Sequence, residues 1–90
     1  MSDEIWFGRY SVIGAGPGGG IARVWKGGES PFVFENEHGA STKGHRVTAI
    51  EARTESTVNW SALTVLRTNR PDGTQELKFS NGTIWVKIDN

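Results

Sequence analysis

No cysteine occurs in these 90 residues. That excludes a disulfide framework, a thiolate nucleophile and a Cys-based zinc site. Charge of one sign is also lacking, because ten Lys and Arg balance ten Asp and Glu. Phosphate binding feeds on a basic excess, so a nucleic-acid partner is not expected. No apolar run reaches the length of a membrane span, and Met1-Ser2-Asp3-Glu4 is acidic where a secretory signal would be basic. A cytoplasmic protein with no membrane span is the expectation. Asn59-Trp60-Ser61 and Asn81-Gly82-Thr83 match the glycosylation sequon and would stay bare there. G-x-S-x-G, H-E-x-x-H and P-loop signatures are missing too, so neither an enzyme nor a cofactor is expected.

What is present is glycine, with twelve, and tryptophan, with four. This length suits one domain, residues 1–90, whose single core needs no staples. Glycine-rich, helix-former-poor composition points to strands and tight turns. The predicted fold is all-β: one compact domain of antiparallel strands, a sandwich or prism-like arrangement of Greek-key or meander hairpins.

The C-terminal third carries the clearest pattern. Asn81-Gly82 between alternating runs reads as a two-residue hairpin loop. Counting outward pairs Phe79 with Ile84, Leu77 with Val86 and Gln75 with Ile88. The other face then holds Ser80 with Thr83, Lys78 with Trp85 and Glu76 with Lys87. That register puts Trp85 on the polar face beside Lys78, as a stacking platform or as a tryptophan covered by a lysine stem. Pro71-Asp72-Gly73 is a second turn. It is preceded by a strand over Val58–Thr68 with apolar residues on both faces, and by a strand over Arg46–Arg53 with a bulge. Thr54–Thr57 is the turn between them. Ile5–Ile13 reads as a strand, and Ile21–Lys26 as a short strand or one helical turn. Pro31–Glu35 reads as a short strand, and Asn36–Gly44 as a polar loop holding His38, with His45 beyond it.

Val12-Ile13-Gly14-Ala15-Gly16-Pro17-Gly18-Gly19 resembles the glycine fingerprint of FAD- and NAD-binding Rossmann proteins, with Gly14, Gly16 and Gly19 as G-x-G-x-x-G. The resemblance implies a pyrophosphate on that loop and Glu35 on the ribose. Arg23 stands where the family has a small residue, and no βα units follow. Dinucleotide binding is therefore kept as an alternative.

Gly28 followed by Phe32, the Val47–Arg53 and Val58–Leu66 runs, and Gly16-Pro17-Gly18-Gly19-Gly20 together resemble part of a jacalin-type lectin domain. The resemblance covers about half of the chain, Gly27 to Gly73, and implies a β-prism binding galactose- or mannose-type sugars in loops at one end. No aspartate stands in the family's C-terminal sugar-loop context, so no site residue is carried over. Small mushroom lectins are similar in composition.

The residue inventory supports sugar binding on its own. A pyranose presents a C–H patch to stack on an indole and hydroxyls for directional hydrogen bonds. Trp25, Trp60 and Trp85 are the candidate platforms, and Glu35, Asn36, Glu37 and His38 the candidate polar contacts. A carbohydrate partner, galactose-type favoured, follows as the expectation, with a homodimer because the net charge is zero and paired sites gain avidity. A protein-interaction module using the same tryptophans is the remaining alternative. His38, His45 and Glu37 match no standard metal spacing, and Glu35 with Glu37 lacks the cleft that a glycosidase needs.

Overall fold

The computed structural model describes residues 3–13, 20–29 and 31–89, and in it the chain is all-β. Eight antiparallel strands follow one another around a closed barrel, each bonded to its sequence neighbour. They are β1 (Gly8–Val12), β2 (Ile21–Trp25), β3 (Phe32–Glu35), β4 (Ser41–Arg46), β5 (Glu51–Thr54), β6 (Thr64–Asn69), β7 (Gln75–Phe79) and β8 (Ile84–Asp89). β1 closes on β8, with a register shift between Arg9 and Tyr10. Closure leaves no open edge, which removes the main aggregation hazard of a small sheet. Among the described residues no helix is long and apolar enough to cross a membrane.

An eight-stranded barrel is just wide enough for side chains to fill, or to hold one small ligand. Here aromatic rings fill it. Phe34 sits amid Phe32, Phe79, Trp60 and Trp85, at centroid distances of 5.9, 6.3, 6.4 and 6.4 Å. Space for them comes from small interior residues: Ala22, Thr42, Gly44, Ala52 and Thr54. Gly44 is decisive, since a Cβ there would lie 2.6 Å from Phe34 Cε1 and 2.8 Å from the Arg53 carbonyl oxygen.

One end is plugged by a 3-10 helix, Asp3–Trp6. It inserts Trp6 under the rings of the core, with the Arg67 guanidinium 5.8 Å from its centroid. Tyr10 Oη donates to the Trp6 carbonyl at 2.6 Å. Gln75 Nε2 and Lys87 Nζ both donate to the Ile5 carbonyl, at 2.8 and 3.0 Å. Burial pushes the Tyr10 hydroxyl pKa well up, and burial followed by the nearby Arg67 charge pushes Lys87 down.

Three hairpin loops share one build. Asn36–Ala40, Arg70–Thr74 and Phe79–Thr83 each close with the first residue's N–H donating to the last carbonyl, at 2.9, 2.8 and 2.8 Å. In each, the fourth residue is a glycine at positive φ: Gly39 at 84°, Gly73 at 88° and Gly82 at 93°. An Asx oxygen accepts from a backbone N–H in each: Asp72 Oδ1 from Thr74 N and Asn81 Oδ1 from Thr83 N within the loop, and Asn36 Oδ1 from His38 N at the residue that opens it. This is a three-residue hairpin loop ending in a left-handed glycine.

That geometry corrects the expected register. A two-residue Asn-Gly loop of the favoured type needs positive φ at both residues, and no described non-glycine residue has it. The loop is therefore Ser80-Asn81-Gly82, and Leu77 pairs with Trp85, Lys78 with Ile84 and Glu76 with Val86. A one-residue slip exchanges the two faces of a strand. Trp85 points into the barrel, 1% exposed, and Ile88 points out.

Other boundaries shift for related reasons. The Ile5–Ile13 strand begins only at Gly8, because Ile5 and Trp6 belong to the 3-10 plug. The Asn36–Gly44 segment is a loop only as far as Ala40, and Ser41–Arg46 is strand β4. Its inward positions are Thr42 and Gly44, which fit under Phe34 and hide the usual alternation. Of the Arg46–Arg53 strand, residues 47–50 form a turn held by the Thr48 hydroxyl, leaving Val47 and Ile50 exposed. The Val58–Thr68 strand shortens to Thr64–Asn69, and the preceding stretch, with Val58 fully exposed, is connection. The jacalin-like pair of runs thus forms only in part as strands. The glycine loop Gly14–Gly19 lies outside the described residues. β1 and β2 flanking it are antiparallel, with Val12 N donating to the Gly20 carbonyl at 3.1 Å, whereas the dinucleotide fingerprint belongs to a parallel βαβ unit.

Candidate functional site

The end opposite the 3-10 plug is the barrel's mouth. There β3 turns into β4, β5 into β6 and β7 into β8, while β1 ends and β2 begins. The β5–β6 connection folds across the opening. Thr42 and Thr54 lie inside the barrel, and their hydroxyls donate to the Glu55 and Ser61 carbonyls at 2.7 and 3.0 Å. Leu63 N donates back to Thr54 Oγ1 at 2.9 Å. Two interior threonines therefore hold this connection down, as buried hydroxyls must find partners.

Held this way, Trp60 is inserted from the connection into the core. Its Nε1 donates to the Ala40 carbonyl at 3.0 Å, which fixes the ring plane. Trp60 meets Trp85 edge to face at 6.1 Å and Phe79 at 6.2 Å, and Phe79 lies 4.6 Å from Trp85. These three rings floor a pocket of about 230 Å³. Its rim is polar: Asn36, Glu37, Asn59, Ser61, Asn81 and Thr83, with Leu63 beside them.

Two of the rim amides are already half used. Asn36 Oδ1 accepts from His38 N and Ala40 N at 2.9 and 3.0 Å, and Asn81 Oδ1 accepts from Thr83 N at 3.0 Å. The Asn36 oxygen is fully committed to its turn and leaves an NH2 donor pair for a ligand, while Asn81 leaves its NH2 donors and one acceptor site. Among the described residues of the lining Glu37 is the one ionisable side chain, and it supplies acceptors. Amide donors and a carboxylate around an aromatic floor can bracket a hydroxylated ligand that both gives and takes hydrogen bonds.

Of the side chains singled out from sequence, Asn36, Glu37, Trp60 and Trp85 converge here. His38 belongs to the same loop but is exposed and off the lining. Trp25 and Glu35 lie on the outer wall around β2 and β3, in a separate depression. Glu35 and Glu37 therefore do not form a carboxylate pair. Trp85 is not the exposed platform expected of it; it is the base of the floor. The sequence presents Phe79 as a hairpin residue, Asn81 and Thr83 as hairpin and sequon residues, Asn59 and Ser61 as a sequon flanking Trp60, and Leu63 as a strand residue. The legible signal for Asn81 was its turn, which projects from the strand ends into the mouth. No group of three or more His, Asp or Glu able to hold a metal occurs among the described residues.

Comparison of the chain with protein-family models, with curated proteins and with solved structures finds no match.

Proposed function

We propose that this domain is a non-catalytic carbohydrate-binding module whose site is the mouth of the barrel. The observation that carries the reading is the pairing of an aromatic floor, Trp60, Phe79 and Trp85, with a rim of amides and hydroxyls and the single carboxylate of Glu37. At about 230 Å³ the pocket is smaller than the roughly 300–1,000 Å³ of drug-sized sites. A single terminal sugar residue is the matching ligand, rather than the middle of a chain. Galactose-type sugars head the test set, with mannose-type second.

Among the described residues the lining holds no cation, which favours neutral or amino sugars over acidic ones. Single sugar sites bind weakly, and a pair of copies would gain avidity. Pairing of this kind is part of the proposal, checked by light scattering at tens of micromolar.

The direct test is a titration of the full chain with galactose, mannose and their amino sugars, read by amide chemical shifts. Shifts centred on Asn36, Glu37, Asn59 and Asn81 support the reading. Failure of every sugar to saturate at tens of millimolar, together with silence on a broad glycan array, overturns it.

A further inference from the structure

Trp25 and Glu35, which the mouth does not use, line one depression on the outer wall of the barrel. With Phe7, Gly8, Arg9 and Arg23 they surround its shallow volume of about 650 Å³. Gly8 adds no side chain to its floor and has φ 141°, a conformation side-chain-bearing residues rarely adopt.

The register across this wall is unusual in its charge order. Arg9 is directly opposite Arg23, Arg23 is opposite Glu35, and Arg9 is opposite Asp89 on the other side. The wall therefore reads acid, base, base, acid over four adjacent strands. Like charges directly opposite destabilise a sheet, and packing does not require two arginines on a face that points to water.

The two arginines are not equally occupied. Arg9 Nε donates to both carboxylate oxygens of Asp89, at 3.0 and 3.2 Å. Arg23 Nε stands 3.9 Å from Glu35 Oε1, beyond hydrogen-bond reach, and its side chain is 61% exposed. Beside it on the same face of β2, Trp25 is 39% exposed. The described lining carries Arg9, Arg23 and Glu35; Asp89 just outside it is taken up by Arg9, so Arg23 is the cation left without a hydrogen-bonded carboxylate.

We infer that this depression is a second binding site, for a small aromatic acid: a planar ring laid against the Trp25 indole, its single anionic group received by Arg23 with Arg9 behind it. A guanidinium fork matches carboxylate or phosphate oxygens two at a time. Offset stacking on an indole adds to that hold and orients the ring. An anion seated there relieves the Arg9–Arg23 repulsion, while Asp89 and Glu35 at the flanks exclude extended polyanions. This inference is independent of the sugar reading.

The test is titration of the full chain with benzoate and with phenyl phosphate, read by amide shifts and tryptophan fluorescence. Benzamide supplies the ring without the charge, and acetate or inorganic phosphate the charge without the ring. Saturable binding of benzoate, of phenyl phosphate or of both is expected, with shifts at Arg9, Arg23, Trp25 and Glu35. The arm that saturates identifies the anion. The control compounds should bind at least tenfold more weakly, and added salt should weaken the aromatic acids. Arg23→Gln should reduce affinity tenfold or more with little change in melting temperature, because the repulsion from Arg9 and the attraction to Glu35 are removed together. Trp25→Leu should weaken binding through the ring alone. Neither acid saturating at tens of millimolar, unchanged affinity in Arg23→Gln, or shifts confined to the mouth would overturn the site.

Discussion

Leu77 and Trp85 lie directly opposite each other on β7 and β8, and both side chains point into the barrel. This pair shows that the last hairpin turns through three residues rather than two. It also decides which tryptophan is structural. Trp85→Ala should cost about 3–5 kcal/mol, as for other large buried aromatics. Ile84→Ala, on the neighbouring outward position, should cost about 1 kcal/mol. Urea denaturation of the two variants checks this, and equal losses would contradict the register.

Gly44 and Gly82 are needed for different reasons. Gly82 has open space around it but φ 93°, so Gly82→Ala should cost about 1–2 kcal/mol and Gly82→Asn less. Gly44 has no such backbone constraint, yet a Cβ would meet Phe34 and the Arg53 carbonyl at under 3 Å. Gly44→Ala should cost about 1–3 kcal/mol by overpacking, and Gly44→Asn more rather than less. The opposite ranking of asparagine at the two positions, measured by thermal melts, separates strain from space.

Tyr10 is the only tyrosine, and burial raises its pKa above the ordinary 10.0. A raised pKa contributes stability that is complete below the unfolded value and is lost as pH rises above it. The native protein should therefore show no phenolate absorbance just above pH 10, and unfolding free energy should fall there. Lys87 acts with the opposite sign: its lowered pKa makes stability rise as pH climbs toward its ordinary 10.5. Tyr10→Phe isolates the first effect. Its curve should lie below wild type near neutral pH, through the lost bonds to Trp6 and Gln75, and the gap should close above about pH 10.

At the mouth, Glu37→Ala should weaken binding of a neutral sugar about tenfold, or about 1.4 kcal/mol. Stability should stay within about 0.5 kcal/mol, since Glu37 lies in a surface turn. Calorimetry and urea melts on the same preparation provide both numbers. Unchanged affinity would move the polar contact elsewhere on the rim.

Much of this architecture is written locally. Glycine-rich composition, the alternation of the last two strands and the Pro71-Asp72-Gly73 turn are enough to specify antiparallel hairpins without crossover helices, because turn residues and side-chain period act over a few neighbours. Four of the seven singled-out residues also reach one pocket, since Asn36 and Glu37 occupy a hairpin turn at the mouth and Trp60 and Trp85 reach it from the core.

Closure into a barrel decided the rest. Whether Trp85 faces in or out depends on one residue of register, and that follows from φ at Asn81 together with the need to fill the interior beside Phe34 and Phe79. β4 escapes any periodicity reading because its inward places go to Thr42 and Gly44, small enough to sit under a ring contributed by another strand. Trp60 reads as a strand residue until two interior threonines are seen to fold its segment over the opening. A chain's local pattern sets which segments extend and where they turn; the volume inside the closed sheet sets which side chains go there.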